Sequence, residues 1–238
     1  MLAKISFVVP IYNEEENISK LVQEILDVAP DICADYEILL VDDCSTDRGL
    51  ELICELSRQN QKIHPLPLAR NSGQSAALYA GFQAATGDVI ITMDADLQND
   101  PANLREMIKY YGDYDMVNGW RFNRQDTRSK KIASKIGNGF RNWLTKETIH
   151  DTGCSLKIMN AEMLKQIRIY RGLHRFLPTL MRLEGARVIE VKVNHRSRQF
   201  GESKYTNLQR GIEGFYDVIV VRWMQRRYLK IEVKEKQC

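Results

Sequence analysis

Through the first half of this chain, short runs of apolar and β-branched residues alternate with segments of helical periodicity, and most of the runs end in polar residues. Parallel strands need a crossover between them, so this alternation restricts the fold to α/β, with a mainly parallel central sheet flanked by helices. "KISFVVP" reads as the first strand, closed by Pro10. Ile18, Leu21, Val22, Ile25 and Leu26 recur at i, i+3 and i+4 spacing and predict a helix through Val28. "EILLVDD", "DVIITM" and "YDMVNGWR" predict further strands, with helices over "DRGLELICELSRQ", "SGQSAALYAGFQAATG" and "PANLREMIKYY". "KIHPLPL" belongs on an edge, because its prolines cannot donate to a ladder. Gly87 stands where a left-handed helix cap is expected.

Polar residues gather where the strands end: Asn13-Glu14, Asp42-Asp43, Asp94-x-Asp96 and Arg121. In open α/β sheets, ligands bind beyond the carboxyl ends of the strands. Each cluster alone also suits a turn or a helix cap, but four in succession predict a shared site. In extended chain, Asp94, Asp96 and Gln98 project to one side, a set of hard oxygen ligands suited to Mg²⁺ or Mn²⁺. Asp100, just before Pro101, reads as a separate helix cap.

The formal net charge of +3 conceals a division. Residues 1–119 hold 8 Lys/Arg against 20 Asp/Glu, and residues 120–238 hold 26 against 11, so the halves carry −12 and +15. An acidic half able to hold cations is joined to a basic half able to meet anions. Two solvated faces of opposite sign would give the same count. The five cysteines include no C-x-x-C pair and read as reduced thiols, not as a disulfide frame or a zinc site. Neither a G-x-x-x-x-G-K-[ST] loop nor a G-x-G-x-x-G turn occurs, which removes support for ATPase and dehydrogenase readings. No stretch reaches the roughly eighteen apolar residues needed to cross a bilayer. The expectation is a cytoplasmic chain, peripheral at the cytosolic face of a membrane, with no nucleic-acid partner.

Taken together, "VVPIYNEEENI", "LLVDDCSTD", "ARNSGQSAALYAGFQAATGDVIITMDADLQNDP", "GWR" and "RQFGESKY" resemble the family-2 glycosyltransferases of GT-A fold. The resemblance is to the dolichyl-phosphate mannose synthase-like branch, which includes the bacterial polyprenyl-phosphate glycosyltransferases, and it covers roughly residues 4–225. It implies that Pro10, Tyr12, Glu14 and Asp42 line a nucleoside pocket whose floor Asp43, Asn71 and Gly73 complete. It places Asp94, Asp96 and Gln98 on the metal and diphosphate, with the Ala95 backbone beside the donor sugar. Asp96 and Arg121 are the expected catalytic residues, and Arg182 matches a donor-site position more loosely. Arg121, Lys135, Arg198 and Lys204 match positions that grip donor or acceptor phosphates.

The implied reaction is inverting transfer from a GDP- or UDP-linked sugar to a polyprenyl phosphate. The chemistry fits the charge division, since a departing nucleoside diphosphate needs cationic stabilisation and a phosphate acceptor is already an oxyanion. A hydroxyl acceptor would instead require a general base, for which Asp151 is conceivable. Asp151, His174 and Arg175 are otherwise expected to orient a basic residue or close the acceptor pocket. A non-catalytic nucleotide-sugar or membrane-surface binder is the third reading, although it has no need of the carboxylate set.

The expected division is a catalytic domain over residues 1–205 and a basic, amphipathic helix over 206–238. In the latter, Ile212, Phe215, Ile219 and Trp223 lie at helical spacing ahead of Arg226 and Arg227. Such a helix either packs on the sheet or lies against a membrane or a small membrane partner protein. Processive polysaccharide synthases carry Q-x-x-R-W near the acceptor, whereas Arg222-Trp223 here is preceded by Ile219.

Overall fold

The computed structural model describes residues 2–122, 137, 139–168, 170–197 and 207–229, excepting the side chains of 2–3, 173 and 207–212. Its centre is a seven-stranded sheet in the order β3-β2-β1-β4-β6-β5-β7. The strands are β1 (Leu2–Ile11), β2 (Cys33–Asp42), β3 (Ile63–Pro67), β4 (Val89–Thr92), β5 (Met116–Arg121), β6 (Lys157–Asn160) and β7 (Val188–Val193). β6 is antiparallel to both its neighbours, β4 and β5, and the other pairings are parallel. The sheet is thus mainly parallel, and the proline-bearing β3 lies at its edge.

Alternation along β1 divides the core between the two faces of the sheet. Ile5, Phe7, Val9 and Ile11 join the helix α1 (Glu15–Ile32) on one side. Val8 faces α3 (Gln74–Ala84) on the other, while α2 (Gly49–Gln59) leads into β3. α3 approaches the sheet so closely that a Cβ on Gly81 would collide with the Val8 side chain. That contact explains the small residues read in this helix from sequence.

Three local expectations are corrected. Gly87 is not a left-handed cap: α3 ends at Ala84, and Gly87 does not adopt positive φ. Its constraint is space, because a Cβ there would come within 2.8 Å of the Ser6 backbone nitrogen. α1 runs past Val28 to Ile32 with Pro30 inside its last turn, and β2 begins at the next residue. The segment after Asp100 is not one helix but 3₁₀ turns at Pro101–Asn103 and Ile108–Tyr110 around α4 (Leu104–Met107). Asp100 does cap it, its carboxylate accepting from the Ala102 N–H at 3.0 Å.

The second half adds α5 (Ala161–Gln166), α6 (Leu177–Leu183) and α7 (Asn207–Arg227). α7 buries Val218 and Val221 in the same core cluster as Val8 and Phe82, so it packs on the body of the protein. The opposite face of α7 carries its larger apolar groups outward: Phe215, Tyr216, Ile219, Val220 and Trp223 are exposed.

Candidate active site

The loops after β1, β2 and β4 converge, and each holds a non-glycine residue in the left-handed region: Asn13 (φ 52°), Cys44 (φ 60°) and Leu97 (φ 59°). Such conformations are costly for a side-chain-bearing residue and cluster where a site over-determines the backbone. The loops are cross-tied. Asn13 Oδ1 accepts from the Thr46 N–H at 2.8 Å, and Asp47 Oδ2 accepts from the Glu15 N–H at 3.0 Å. Buried Asp43 accepts from the Ser72 and Gly73 N–H groups at 2.7 and 2.8 Å, while Asn71 Nδ2 donates to the Asp43 carbonyl. Asp43, Asn71 and Gly73 therefore form one unit, with Gly73 at φ 85° turning the chain into α3.

Asp42 is buried beside them. Its Oδ2 accepts from the Ser45 N–H at 3.2 Å, and its Oδ1 has no hydrogen-bond partner among the described residues. A buried acceptor left open is costly, so a ligand N–H is the natural partner for it. Pro10, in β1, and Tyr12, just beyond its last residue Ile11, lie nearby. Glu14 lies in a separate small cleft with Asn13 and Asp47, its carboxylate accepting from Asn17 Nδ2 at 2.7 Å.

A cavity of about 660 Å³ opens beyond the sheet. Asp94, Asp96 and Gln98 all line it, although not by strand parity. β4 ends at Thr92, and the chain bends so that Asp96 Oδ1 accepts from the Gln98 N–H at 3.2 Å. Gln74, the first residue of α3, donates through Nε2 to Asp94 Oδ1 at 2.7 Å. Burial, and then the neighbouring Asp96 carboxylate, push the Asp94 carboxyl up to about 6. Two mutually repelling carboxylates facing one cavity fit a divalent cation that takes its remaining ligands from water and phosphate. Among the described residues no group of three His, Cys, Asp or Glu is arranged to hold a metal. The pair with Gln98 thus suits a cation shared with a substrate, and not a fully protein-built cage. Ala95, between the two carboxylates, is buried in the core.

Facing the carboxylates is the loop 151–155. Arg121, at the end of β5, donates from Nε and Nη2 to the two carboxylate oxygens of Asp151 at 2.7 and 2.9 Å. Burial disfavours both charges, yet the paired hydrogen bonds outweigh it: Asp151 is held below the usual carboxylate range and Arg121 is raised. Asp151 therefore orients a basic residue. As a proton acceptor it is weak. The loop is pinned from every side. Asn118 Nδ2 donates to the Asp151 carbonyl at 2.9 Å, Thr92 Oγ1 to the Ser155 carbonyl at 2.7 Å, and Asn99 Nδ2 to Ser155 Oγ at 2.6 Å. Buried Lys157 donates to the Thr152 carbonyl at 3.2 Å and to the Cys154 carbonyl.

The third wall is the turn 171–175. His174 Nδ1 meets Ser75 Oγ at 2.6 Å, and Ser75 Oγ accepts from the Gly172 N–H at 3.0 Å. Arg175 and Arg171 line the cavity with Glu213 of α7, and Arg171 lies 3.7 Å from that Glu213 carboxylate.

The structure thus brings Asn71, Gly73, Asp94, Asp96, Gln98, Arg121, His174 and Arg175 to one cavity. Arg182 does not line it; its guanidinium is engaged by the buried Glu147 at 2.5 Å. Lys135, Arg198 and Lys204 lie outside the described residues. Sequence reasoning missed Gln74, Ser75, Ser155, Lys157 and Arg171. The available signals were two polar residues opening an otherwise apolar helix and one lysine inside a strand-like run.

Comparison with known proteins agrees with this architecture. The sequence model described as glycosyl transferase family 2 matches residues 6–168. The chain is 38% identical over 220 residues to undecaprenyl-phosphate 4-deoxy-4-formamido-L-arabinose transferase of Pectobacterium carotovorum, covering 92% of this chain and 67% of that protein. Among solved structures, S. aureus TarS (residues 1–349) in complex with UDP-GlcNAc superposes with a TM-score of 0.63 at 21% identity, over 92% of this chain and 66% of that one. Glucosyl-3-phosphoglycerate synthase from Mycobacterium tuberculosis, in complex with Mn²⁺, UDP and phosphoglyceric acid, reaches 0.67 at 17% identity, over 97% of this chain and 80% of that one. At these identities the solved structures establish the GT-A fold, and the family match over most of the chain establishes the rest: this protein belongs to glycosyl transferase family 2.

Proposed function

We propose that the protein transfers a sugar from a nucleoside-diphosphate sugar, UDP-linked in preference to GDP-linked, onto a polyprenyl phosphate at a membrane surface. The observation that carries the acceptor assignment is the Arg121–Asp151 pair. A hydroxyl acceptor needs a base, and the carboxylate best suited by sequence to that task is tied at both oxygens to an arginine. A phosphate acceptor needs no base, only cationic orientation, which Arg121 and Arg175 can supply from the cavity wall. The relative named as an undecaprenyl-phosphate sugar transferase supports the same class of acceptor. The neighbours holding UDP and UDP-GlcNAc support the donor base.

In this reading Asp42, Asp43, Asn71 and Gly73, with Pro10 and Tyr12 around the end of β1, receive the nucleoside. Asp94, Asp96 and Gln98 would hold Mg²⁺ or Mn²⁺ with the diphosphate. Such a cation stabilises the charge that develops on the leaving group. Gln74 sets the rotamer of Asp94, and Asp151 aims Arg121. Residues 1–205 serve as the catalytic unit, and the segment from 206 serves as its membrane-facing helix. No described helix is long and apolar enough to cross a membrane.

The test is incubation with membranes and a panel of labelled UDP- and GDP-sugars, with and without a chelator. Divalent-cation-dependent label in an acid-labile, organic-extractable product is expected from a UDP-sugar. Label appearing only in water-soluble or polysaccharide product would overturn the acceptor assignment.

A further inference from the structure

α7 is built inside out for a helix of a soluble body. Its inward stripe is slender, with Val218 and Val221 buried and Asp217 turned partly inward. Its outward stripe repeats at positions 216, 219, 220 and 223, the spacing of one helical face, and carries Tyr216, Ile219, Val220 and Trp223. Amphipathic helices of soluble domains place these groups the other way round.

A second segment extends the same surface. The helical stretch 139–145 places Phe140 against Phe215, with ring centroids 5.5 Å apart and planes 16° from parallel. Trp143 stands beside Phe140 at 6.3 Å and is 76% exposed, and Trp223 is 62% exposed. Gln225 Nε2 donates to the Thr145 carbonyl at 2.8 Å, fixing the two segments against each other. The result is an exposed aromatic ledge held in place by these contacts, the kind of surface that marks an interaction site.

We propose that this ledge of Phe140, Trp143, Phe215, Tyr216, Ile219, Val220 and Trp223 seats the protein on a bilayer of anionic lipids. Two features of the surface select that occupant. The outward stripe ends in exposed Arg226 and Arg227, and exposed tryptophan and tyrosine above a basic turn match the headgroup region of a charged membrane. The other end of the same helix delivers Glu213 to the rim of the catalytic cavity, next to Arg171 and Arg175. A chain seated on this face holds its cavity mouth at headgroup depth, where a phosphate-headed lipid presents its oxyanion. The inference rests on the reading that the acceptor is a membrane lipid.

The experiment is flotation of the full chain with phosphatidylglycerol-containing vesicles and with pure phosphatidylcholine vesicles, in the absence of donor and acceptor. Preferential binding to the anionic vesicles is expected. Trp143→Ser with Trp223→Ser should weaken it roughly a hundredfold, about tenfold for each interfacial aromatic lost. Arg226→Gln with Arg227→Gln should reduce anionic binding roughly thirtyfold and leave phosphatidylcholine binding unchanged. Both pairs are exposed, so an unchanged melting curve accompanies either result. Undiminished flotation of the tryptophan double variant would overturn the proposal. So would a ledge-dependent dimer in solution that ignores vesicles. Transfer to a short-chain, water-soluble polyprenyl phosphate keeps the two readings apart. Intact solution transfer without flotation defeats the ledge alone, whereas ledge-dependent flotation without any transfer defeats the acceptor assignment and leaves the docking surface standing.

Discussion

The acidic and basic walls of the cavity treat their charges differently. On the acidic side, neutral donors hold the carboxylates: the Ser72 and Gly73 N–H groups on buried Asp43, and Gln74 on Asp94 at the cavity wall. In the basic half, carboxylates hold several of the cations: Asp151 on Arg121, Glu147 on Arg182, and Glu24 with Asp100 on Arg196. Neutral donors fix a carboxylate without cancelling its charge, so the acidic wall still attracts a cation. Ion pairs fix an arginine and cancel much of its charge, so the +15 of the second half overstates what remains for phosphate. The division of charge along the chain is therefore more than a pair of solvated faces. Among the described residues, part of it is closed within the fold by ion pairs, part lines the cavity, and part, such as Arg226 and Arg227, is exposed.

The largest effect that sharpens this contrast is expected from Asp96→Asn. Removing one charge from the acidic wall should lower transfer by two to three orders of magnitude or more, the scale of lost transition-state electrostatics. Its melting temperature should hold, because the carboxylate is placed for a ligand and not for packing. Undiminished turnover at saturating metal would break the assignment. Next is Asp151→Asn, which leaves Arg121 charged and unpaired in a nearly buried position and should cost about 3 kcal/mol of stability. The pH dependence follows in sign. Asp151 is depressed below its ordinary 3.8, so the pair's contribution is complete above that pH and is lost as pH falls through the folded-state value. The melting difference between wild type and Asp151→Asn should accordingly be full at neutral pH and shrink in acid. A difference that grows on acidification would contradict the pairing.

A smaller effect is expected from Lys157→Met, which strips a donor from two carbonyls of the loop 151–155. About 1–3 kcal/mol of stability should go, with a fall in turnover larger than any change in donor KM, as Arg121 loses its support. The smallest concerns Arg182→Ala: destabilisation through the orphaned Glu147 with donor KM unchanged. A rise in donor KM would place Arg182 in the donor site after all.

The acidic wall was the legible one, for a physical reason. A strand ending in carboxylates is a local pattern, and the fold class follows from the strand–helix alternation alone. Even there the mechanism differed, since Asp94, Asp96 and Gln98 share a cavity through a bend at 96–98 and not through strand parity. The basic wall was less legible, because what a cation does depends on which carboxylate the fold brings to it. Arg121 and Arg182 look alike in sequence, but Asp151 holds one at the cavity and Glu147 holds the other away from it. Gln74 was missed for the same reason, as its partner Asp94 lies in another loop; Lys157 was missed although the Thr152 and Cys154 carbonyls are near it in sequence, because only the fold of the loop turns them onto its amine. α7 showed the opposite case. Its periodicity was plain, while the face it turns outward emerged only once Val218 and Val221 were seen to take the core.

The account turns on an acceptor that needs no base, and the most direct measurement compares a short-chain polyprenyl phosphate with its parent polyprenol in solution. With saturating donor and divalent cation, the account predicts transfer to the phosphate and none to the alcohol at any pH that leaves the fold intact. Comparable transfer to the alcohol, rising with pH as a base deprotonates, would contradict it.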